Sequence, residues 1–344
     1  MVEFGSDFHL CDDCFRCGQS SFSNISDDIR YYANGRLAIG ELIAQEKWTR
    51  IWIPAYFCYE VIDYIKSTGI QIMLYNDFPL VNNEDLVLRT LPFEHGDVLL
   101  RINYFGLRNF RSNCGISVPV IEDHTHSLIS DWALNSDADW CIASIRKTLP
   151  VPAGGILWSP KHNNLPEQLE PSVECEIMAD IRYSAMVLKS RYLERGGDKL
   201  EFRQKYISSE QMIESLIRSG MDIKSFMVSS NLDIYCWTEQ RIRNWKKAAF
   251  LLNKRIKILQ PAESHNCHPF SIVIYCTSAH ERSRLRQHLI DKNVYPAILW
   301  HMPDDRRFCS AHDFSQRMLS VHCDARYDDN DIKEICRIIN SYYD

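Results

Sequence analysis

The sequence predicts an α/β fold, a mostly parallel sheet between two layers of helices, followed by a smaller α+β region. From about residue 30 to about residue 240, short apolar runs alternate with helical stretches, the pattern of strands buried on both faces and linked by crossover helices. Residues able to do chemistry fall just after these runs, at the edge where open α/β sheets place their sites. Beyond about residue 245 the texture changes to shorter strands and amphipathic helices, and no internal repeat or low-complexity tract appears. These shifts divide the chain into an N-terminal arm (1–30), a large domain (31–245) and a small C-terminal α+β domain (246–344).

The elements follow in order. A helix opens at Asn34-Gly35-Arg36, with Leu37, Ile39, Leu42 and Ile43 at helical spacing. Strands are expected at 50–53, 71–75, 97–102, 119–122, 139–143 and 155–158, and a crossover helix at 59–67 after the turn at Pro54. Residues 175–225 are charged and helical, broken at Arg195-Gly196-Gly197-Asp198. A long helix over 239–256 leads into the small domain, with strands at 269–276, 294–300 and 318–323. Ser278-Ala279-His280-Glu281 has the spacing of a capping box. Asp328 or Asp329 caps a terminal helix whose buried stripe is Ile332, Ile335, Ile338 and Ile339.

The most informative segment is Ser144-Ile145-Arg146-Lys147-Thr148-Leu149-Pro150, closed by Gly154-Gly155. It puts Lys147 at the carboxyl end of a buried strand, where poor hydration lowers an amine's pKa and makes it a nucleophile fit to form a Schiff base. Val118–Asp123 is a strand ending in acid, about one βαβ spacing upstream of the lysine. Pyridoxal phosphate (PLP) needs this pair, a lysine for its aldehyde and a carboxylate to keep its ring nitrogen protonated. The Asn34-Gly35 turn opening a helix offers free backbone N–H groups to a phosphate, with Arg36 as a charged contact and Ser144 as a hydroxyl donor. Asn103 and Tyr104 follow a strand at the same edge and are candidates to line the pocket. Trp300-His301-Met302-Pro303 and Arg326 are weighed as substrate contacts, His301 as a rim residue and Arg326 against a plain ion pair with Asp324.

These segments resemble the DegT/DnrJ/StrS group of PLP-dependent sugar aminotransferases, a branch of the aspartate-aminotransferase fold. The likeness runs in order through Asn34-Gly35-Arg36, Ile51–Cys58, Val120–His126, Ser144–Gly155 and Leu319–Tyr327, and so spans about residues 30–340. It implies fold type I of PLP enzymes, with a seven-stranded sheet in the large domain. It implies Lys147 as the Schiff-base lysine, Asp123 as the pyridine-nitrogen partner, His126 at the ring hydroxyl and Ser144 at the phosphate. Tyr56 or Phe57 would stack on or flank the ring, and Arg326 would meet a donor carboxylate. By the same likeness the protein is a homodimer that moves an amino group, from glutamate, to a nucleotide-linked keto-sugar in surface polysaccharide or secondary-metabolite biosynthesis. Two departures stand out: the compact S-x-x-K spacing, and Met178–Ala185 where the group carries a G-x-N-x-R-M-like segment. They leave room for a dehydratase, decarboxylase or aldolase on the same scaffold, a non-sugar acceptor, or a degenerate PLP-binding regulator.

Composition sets the remaining bounds. The chain has 344 residues, 45% hydrophobic and 24% charged, enough for a large core. A formal charge of −6 leaves no basic footprint for nucleic acid. No apolar run approaches the roughly 20 residues that span a bilayer, and residues 1–7 lack the pattern of a signal peptide, so a cytoplasmic enzyme is expected. The thirteen cysteines are then read as free thiols. Cys11, Cys14 and Cys17, preceded by His9, have metal-like spacing but lack the Cys-Pro partner of the ferredoxin pattern, and no metal is expected.

Overall fold

The computed structural model describes residues 3–11, 21–81, 83–262 and 267–344; Cys14 and Cys17 of the cysteine cluster, and His265, lie outside them. Phe4–Gly5 (β1) is followed by Ile29–Tyr32 (β2) and by Gly35–Glu46 (α1). Asn34 caps α1 by accepting the Leu37 N–H at 3.1 Å, and Lys47 ends it in the left-handed conformation. Then come Arg50–Pro54 (β3), Tyr59–Ser67 (α2), Gln71–Tyr75 (β4), Glu84–Leu88 (α3), Asp97–Ile102 (β5), Val120–Asp123 (β6), Asp131–Leu134 (α4), Trp140–Ala143 (β7) and Gly155–Trp158 (β8). These strands form one seven-stranded sheet in the order β2-β8-β7-β6-β5-β3-β4. The pairings β3–β4, β3–β5, β5–β6 and β6–β7 are parallel, and only β8 opposes its neighbours, β7 and β2. The sheet is that of fold type I.

Both faces of this sheet are buried, which is why its strands read as continuous apolar runs. Ile51, Ile53, Val98, Leu100, Ile121, Ile142 and Leu157 pack with α1 and α2 on one side. The alternate residues Trp52, Leu99, Val120, Cys141, Ile156 and Trp158 pack on the other, with Leu232, Ile234 and Trp237. The helical region is Val173–Arg195 (α5), Lys199–Ser215 (α6), Ile223–Ser230 (α7) and Ile234–Leu251 (α8). Gly196 sits at the end of α5, and Asp198 starts α6 by accepting the Leu200 N–H at 2.8 Å, so the Gly-Gly-Asp break falls where the sequence puts it.

A further apolar core gathers Trp245 and Ala248 of α8 with Ile272–Tyr275 (β9), Ala279–Asp291 (α9), Val294–Tyr295 (β10), Met318–Val321 (β11) and Asp329–Asn340 (α11); Cys309–Arg317 (α10) leads into β11. β11 pairs antiparallel with β9, and β1 runs parallel to β10, tying the N-terminal arm to this core. Gly5 N–H donates to the Tyr327 hydroxyl at 2.7 Å. Asp328 caps α11 in a reciprocal box with Asp331, and the Ile332, Ile335, Ile338 and Ile339 stripe is buried. No helix among the described residues is long and apolar enough to cross a membrane.

Four expectations need correction. β2 was not expected: its partly exposed residues give no clear alternation, and it exists because β8 supplies its pairing partner. α8 starts and ends about five residues before the predicted 239–256, because Asp233 caps it, accepting the Cys236 N–H at 3.0 Å. β10 stops at Tyr295, before Pro296, which has no N–H to continue a ladder. In the Ser278–Glu281 box, Ser278 accepts the Glu281 N–H, but the Glu281 carboxylate takes the Thr277 N–H instead of closing the box.

Gly155 lets β8 touch the start of α1. A Cβ there would stand 2.2 Å from the carbonyl carbon of Asn34 and 2.5 Å from the nitrogen of Gly35. Both contacts are backbone, so neither yields by rotamer change. Gly155→Ala is expected to lower stability by about 1–3 kcal/mol, read by thermal unfolding; an unchanged Tm would mean that α1 can slide off β8 freely.

Candidate active site

Parallel strands end in step, so the residues just past β5, β6 and β7 converge on one edge. In β6, Glu122 turns to one face, where Asn113 and Ser136 donate to it at 2.8 and 2.7 Å. Asp123, the next residue, belongs to the other face and to the strand end. Its Oδ1 accepts the Thr125 N–H at 2.8 Å. The Thr125 hydroxyl oxygen accepts the Ser144 N–H at 2.9 Å, which pins the end of β7 to the end of β6. Ile145–Lys147 then forms a single 3-10 turn with Ile145 buried beneath it. The N-terminus of α1 closes in from the side, where a Cβ on Gly35 would lie 3.2 Å from Ser144 Cβ.

These ends surround a cavity of about 390 Å³. Asn34, Gly35, Arg36, Phe57, Asp123, His126, Ser144 and Lys147, eight of the residues proposed from sequence, all line it. Of the remaining sequence candidates, Tyr56, Asn103, Tyr104 and Arg326 do not. Tyr56 is fully buried behind the wall, its ring against Trp300 at 5.6 Å and its hydroxyl donating to the Leu299 carbonyl. The Tyr104 hydroxyl donates to the Tyr56 carbonyl at 2.6 Å, and Asn103 Nδ2 donates to Ser130 Oγ at 3.3 Å, so both brace the wall from behind. Arg326 is a buried partner of Asp324, with Nε–Oδ1 at 2.8 Å and Nη2–Oδ2 at 2.9 Å. That pair consumes the fork a donor carboxylate would need, and the ion-pair reading of Arg326 is the one the structure supports. Trp300 reaches the cavity, whereas His301 is exposed.

The electrostatics of the wall are uneven. Lys147 keeps accessible surface, but protein surrounds it and its amine has no hydrogen bond or ion pair among the described residues. The neighbouring Arg146 charge, together with burial, lowers its pKa to about 8. Burial pushes the Asp123 carboxyl up, against the Thr125 hydrogen bonds that favour its charge. His126 is held down to about 3 by burial and by the Lys147 charge, and is therefore neutral. Its Nδ1 accepts the Phe105 N–H at 3.1 Å, which assigns the proton to Nε2. The ring is fixed between aromatic planes, Phe270 at 4.4 Å and Trp300 and Phe105 each at 5.4 Å.

Sequence reasoning missed several lining residues. Cys58, Thr125 and Arg146 lie inside segments already singled out and Glu60 just beyond one, so position alone could have flagged them. Glu210, Glu214 and Phe270 come from α6 and from the segment before β9 and carry no local signal.

No family model matches the sequence, and no curated protein matches it either. Solved structures do. A protein described as a sugar aminotransferase, Spr1654 of Streptococcus pneumoniae, in its PLP form, aligns with TM-score 0.68 at 11% identity, over 99% of this chain and 98% of that one. A DegT/DnrJ/EryC1/StrS aminotransferase of Brucella abortus gives 0.63 at 14% identity, over 92% and 86%. A 3-amino-5-hydroxybenzoic acid synthase gives 0.64 at 13% identity, over 99% and 98%. Together with the strand order, these likenesses establish that the chain has the fold of the PLP-dependent aminotransferases of fold type I.

Proposed function

We propose that the protein is a PLP-dependent aminotransferase that passes an amino group, from glutamate, to a keto-sugar carried on a nucleotide. The observation that supports it is the convergence of Lys147, Asp123 and the N-terminus of α1 on one cavity. The wall suits the cofactor group by group. A helix N-terminus, the Ser144 hydroxyl and the Arg36 guanidinium, whose buried Nε has no partner among the described residues, make a seat for a phosphate dianion. Asp123 is a buried carboxylate lining the cavity with no cationic partner in contact among the described residues, the complement of a protonated pyridine nitrogen. The proton on His126 Nε2 can be donated to a ring oxygen.

When bound, PLP supplies the electron sink that lets a Cα–H bond of the amino acid ionise. The protein's own residues do the rest. Arg36, Ser144 and the first N–H groups of α1 orient the phosphate end. Asp123 keeps a proton at the ring nitrogen. The Lys147 amine would hold the cofactor by its aldehyde and, when free, would take up or release a proton at the substrate carbon. A pKa near 8 serves both duties, because at neutral pH roughly one amine in ten is unprotonated, against about one in three thousand for an ordinary lysine.

The working unit is proposed to be a homodimer. Val173 and Ile177 of α5 and Ile223, Phe226 and Met227 of α7, elements in contact with one another, expose apolar side chains that a second copy would cover. The division into domains at about residue 245 is proposed on the same footing, supported by α8, which contributes to two apolar cores.

Glutamate alone is expected to convert the bound cofactor to its amine form, seen as loss of its visible absorbance, and a nucleotide-linked keto-sugar should restore it. An unchanged spectrum after glutamate, glutamine, aspartate and alanine in turn would defeat the aminotransferase reading. Recovery with a simple keto acid and with no keto-sugar would keep the reaction and discard the substrate class.

A further inference from the structure

Three cations line the cavity: Lys147, Arg36 and Arg146. Arg36 is anchored to backbone, its Nη2 donating to the carbonyls of Ile213 and Glu214 at the end of α6. Arg146 is held differently. Its guanidinium grips the Glu210 carboxylate end-on, Nη2–Oε1 at 3.0 Å and Nη1–Oε2 at 3.2 Å, and its buried Nε has no partner among the described residues. Glu210 does not depend on Arg146 alone. Its Oε2 also accepts Arg182 Nη1 at 2.7 Å, and Arg182 Nη2 in turn donates to Asp7 Oδ1 at 2.8 Å. The Glu210 side chain keeps 35% of its surface, against 10% for Arg146.

We propose that Arg146 receives the carboxylate of the amino-acid substrate, and that Glu210 is the built-in carboxylate occupying its fork when substrate is absent. This rests on the aminotransferase reading of the cavity. The guanidinium already holds a carboxylate in the two-point geometry that suits it, at the cavity wall. Exchange replaces one carboxylate by another, so no uncompensated charge is created at Arg146. Glu210 moves aside with Arg182 still attached, so its charge is not stranded either. An α-amino acid carries its amine one carbon from its carboxylate, and Arg146 immediately precedes Lys147. Anchoring the acid at Arg146 therefore delivers the amine to the lysine's end of the cavity. Arg326, spent on Asp324, leaves this role open.

The test is a calorimetric titration of the cofactor-free protein with glutarate, a dicarboxylate that has no amine to react. Wild type should bind it, Arg146→Met should weaken binding at least tenfold, and Arg146→Lys should recover part of the loss. Glu210→Gln should tighten binding severalfold, because the internal competitor loses its charge. Thermal unfolding checks that each variant folds, and the Lys and Gln variants carry the test if the Met variant does not. No binding by wild type, Arg146→Met within twofold of wild type, or weaker binding in Glu210→Gln would each overturn the proposal. So would an Arg146→Met protein that loses affinity for PLP while keeping its affinity for glutarate, since Arg146 would then serve the cofactor. Borohydride fixation of PLP, run in parallel, separates the two claims. Wild type that fixes no PLP on Lys147 defeats the aminotransferase reading, whereas fixation with glutarate affinity indifferent to Arg146 defeats only this proposal.

Discussion

Lys147→Ala is expected to abolish turnover while leaving the protein folded and able to hold PLP without a covalent bond. The side chain makes no hydrogen bond or ion pair among the described residues, so its removal strands no partner, and the turn that carries it is held by the buried Ile145 and by the Lys147 N–H to Ser144 carbonyl bond. What is lost is chemical: the covalent anchor and the proton carrier. Positioned proton transfer alone is worth typically 10²–10⁴-fold, so turnover should fall by at least about that much. Borohydride reduction of the wild-type holoenzyme followed by peptide mapping should find the cofactor on Lys147 alone; a labelled peptide containing any other lysine would sink the assignment. The amine should also titrate near 8, so its reactivity toward an acylating reagent in the cofactor-free protein should rise from pH 7 to 9 and level off above that. A rise continuing past pH 10 would show that the Arg146 charge does not act on it.

Asp123→Asn is expected to keep the fold and lose most of the activity, by roughly 10²–10³-fold if charge stabilisation in a dry site is the main term removed. The amide's own oxygen can still accept the Thr125 N–H, so the local turn survives and Tm should change little. The amide cannot carry the negative charge that holds a proton on the ring nitrogen. Because burial raises the carboxyl's pKa, a cation brought beside it meets little competing water, and the interaction is correspondingly strong. Near-normal turnover in this variant would reduce Asp123 to a turn-forming residue.

The sequence by itself determined the sheet and the line of chemistry along its edge. Short, largely apolar segments such as Asp97–Ile102 and Gly155–Trp158, bounded by turn residues, read as strands buried on both faces, and the bounds of these two match the structure residue for residue. Asn34, Asp123, Ser144 and Lys147 were legible because each stands at a fixed offset from the end of such a run or the start of a helix, and parallel strands bring those offsets together. Tertiary structure decided what depends on partners far along the chain. β2 exists only because β8 pairs with it, and the short β10 is where β1 docks. Tyr56, Asn103 and Tyr104 have the right sequence offset, yet their side chains lie behind the wall, where Tyr104 bonds the Tyr56 carbonyl and Asn103 bonds Ser130. Arg326 looked available until Asp324, two residues away, was seen to saturate its fork. Glu210 had no signal at all, because its partners Arg146 and Arg182 lie 64 and 28 residues away, and charge pairing across such distances leaves no local pattern to read.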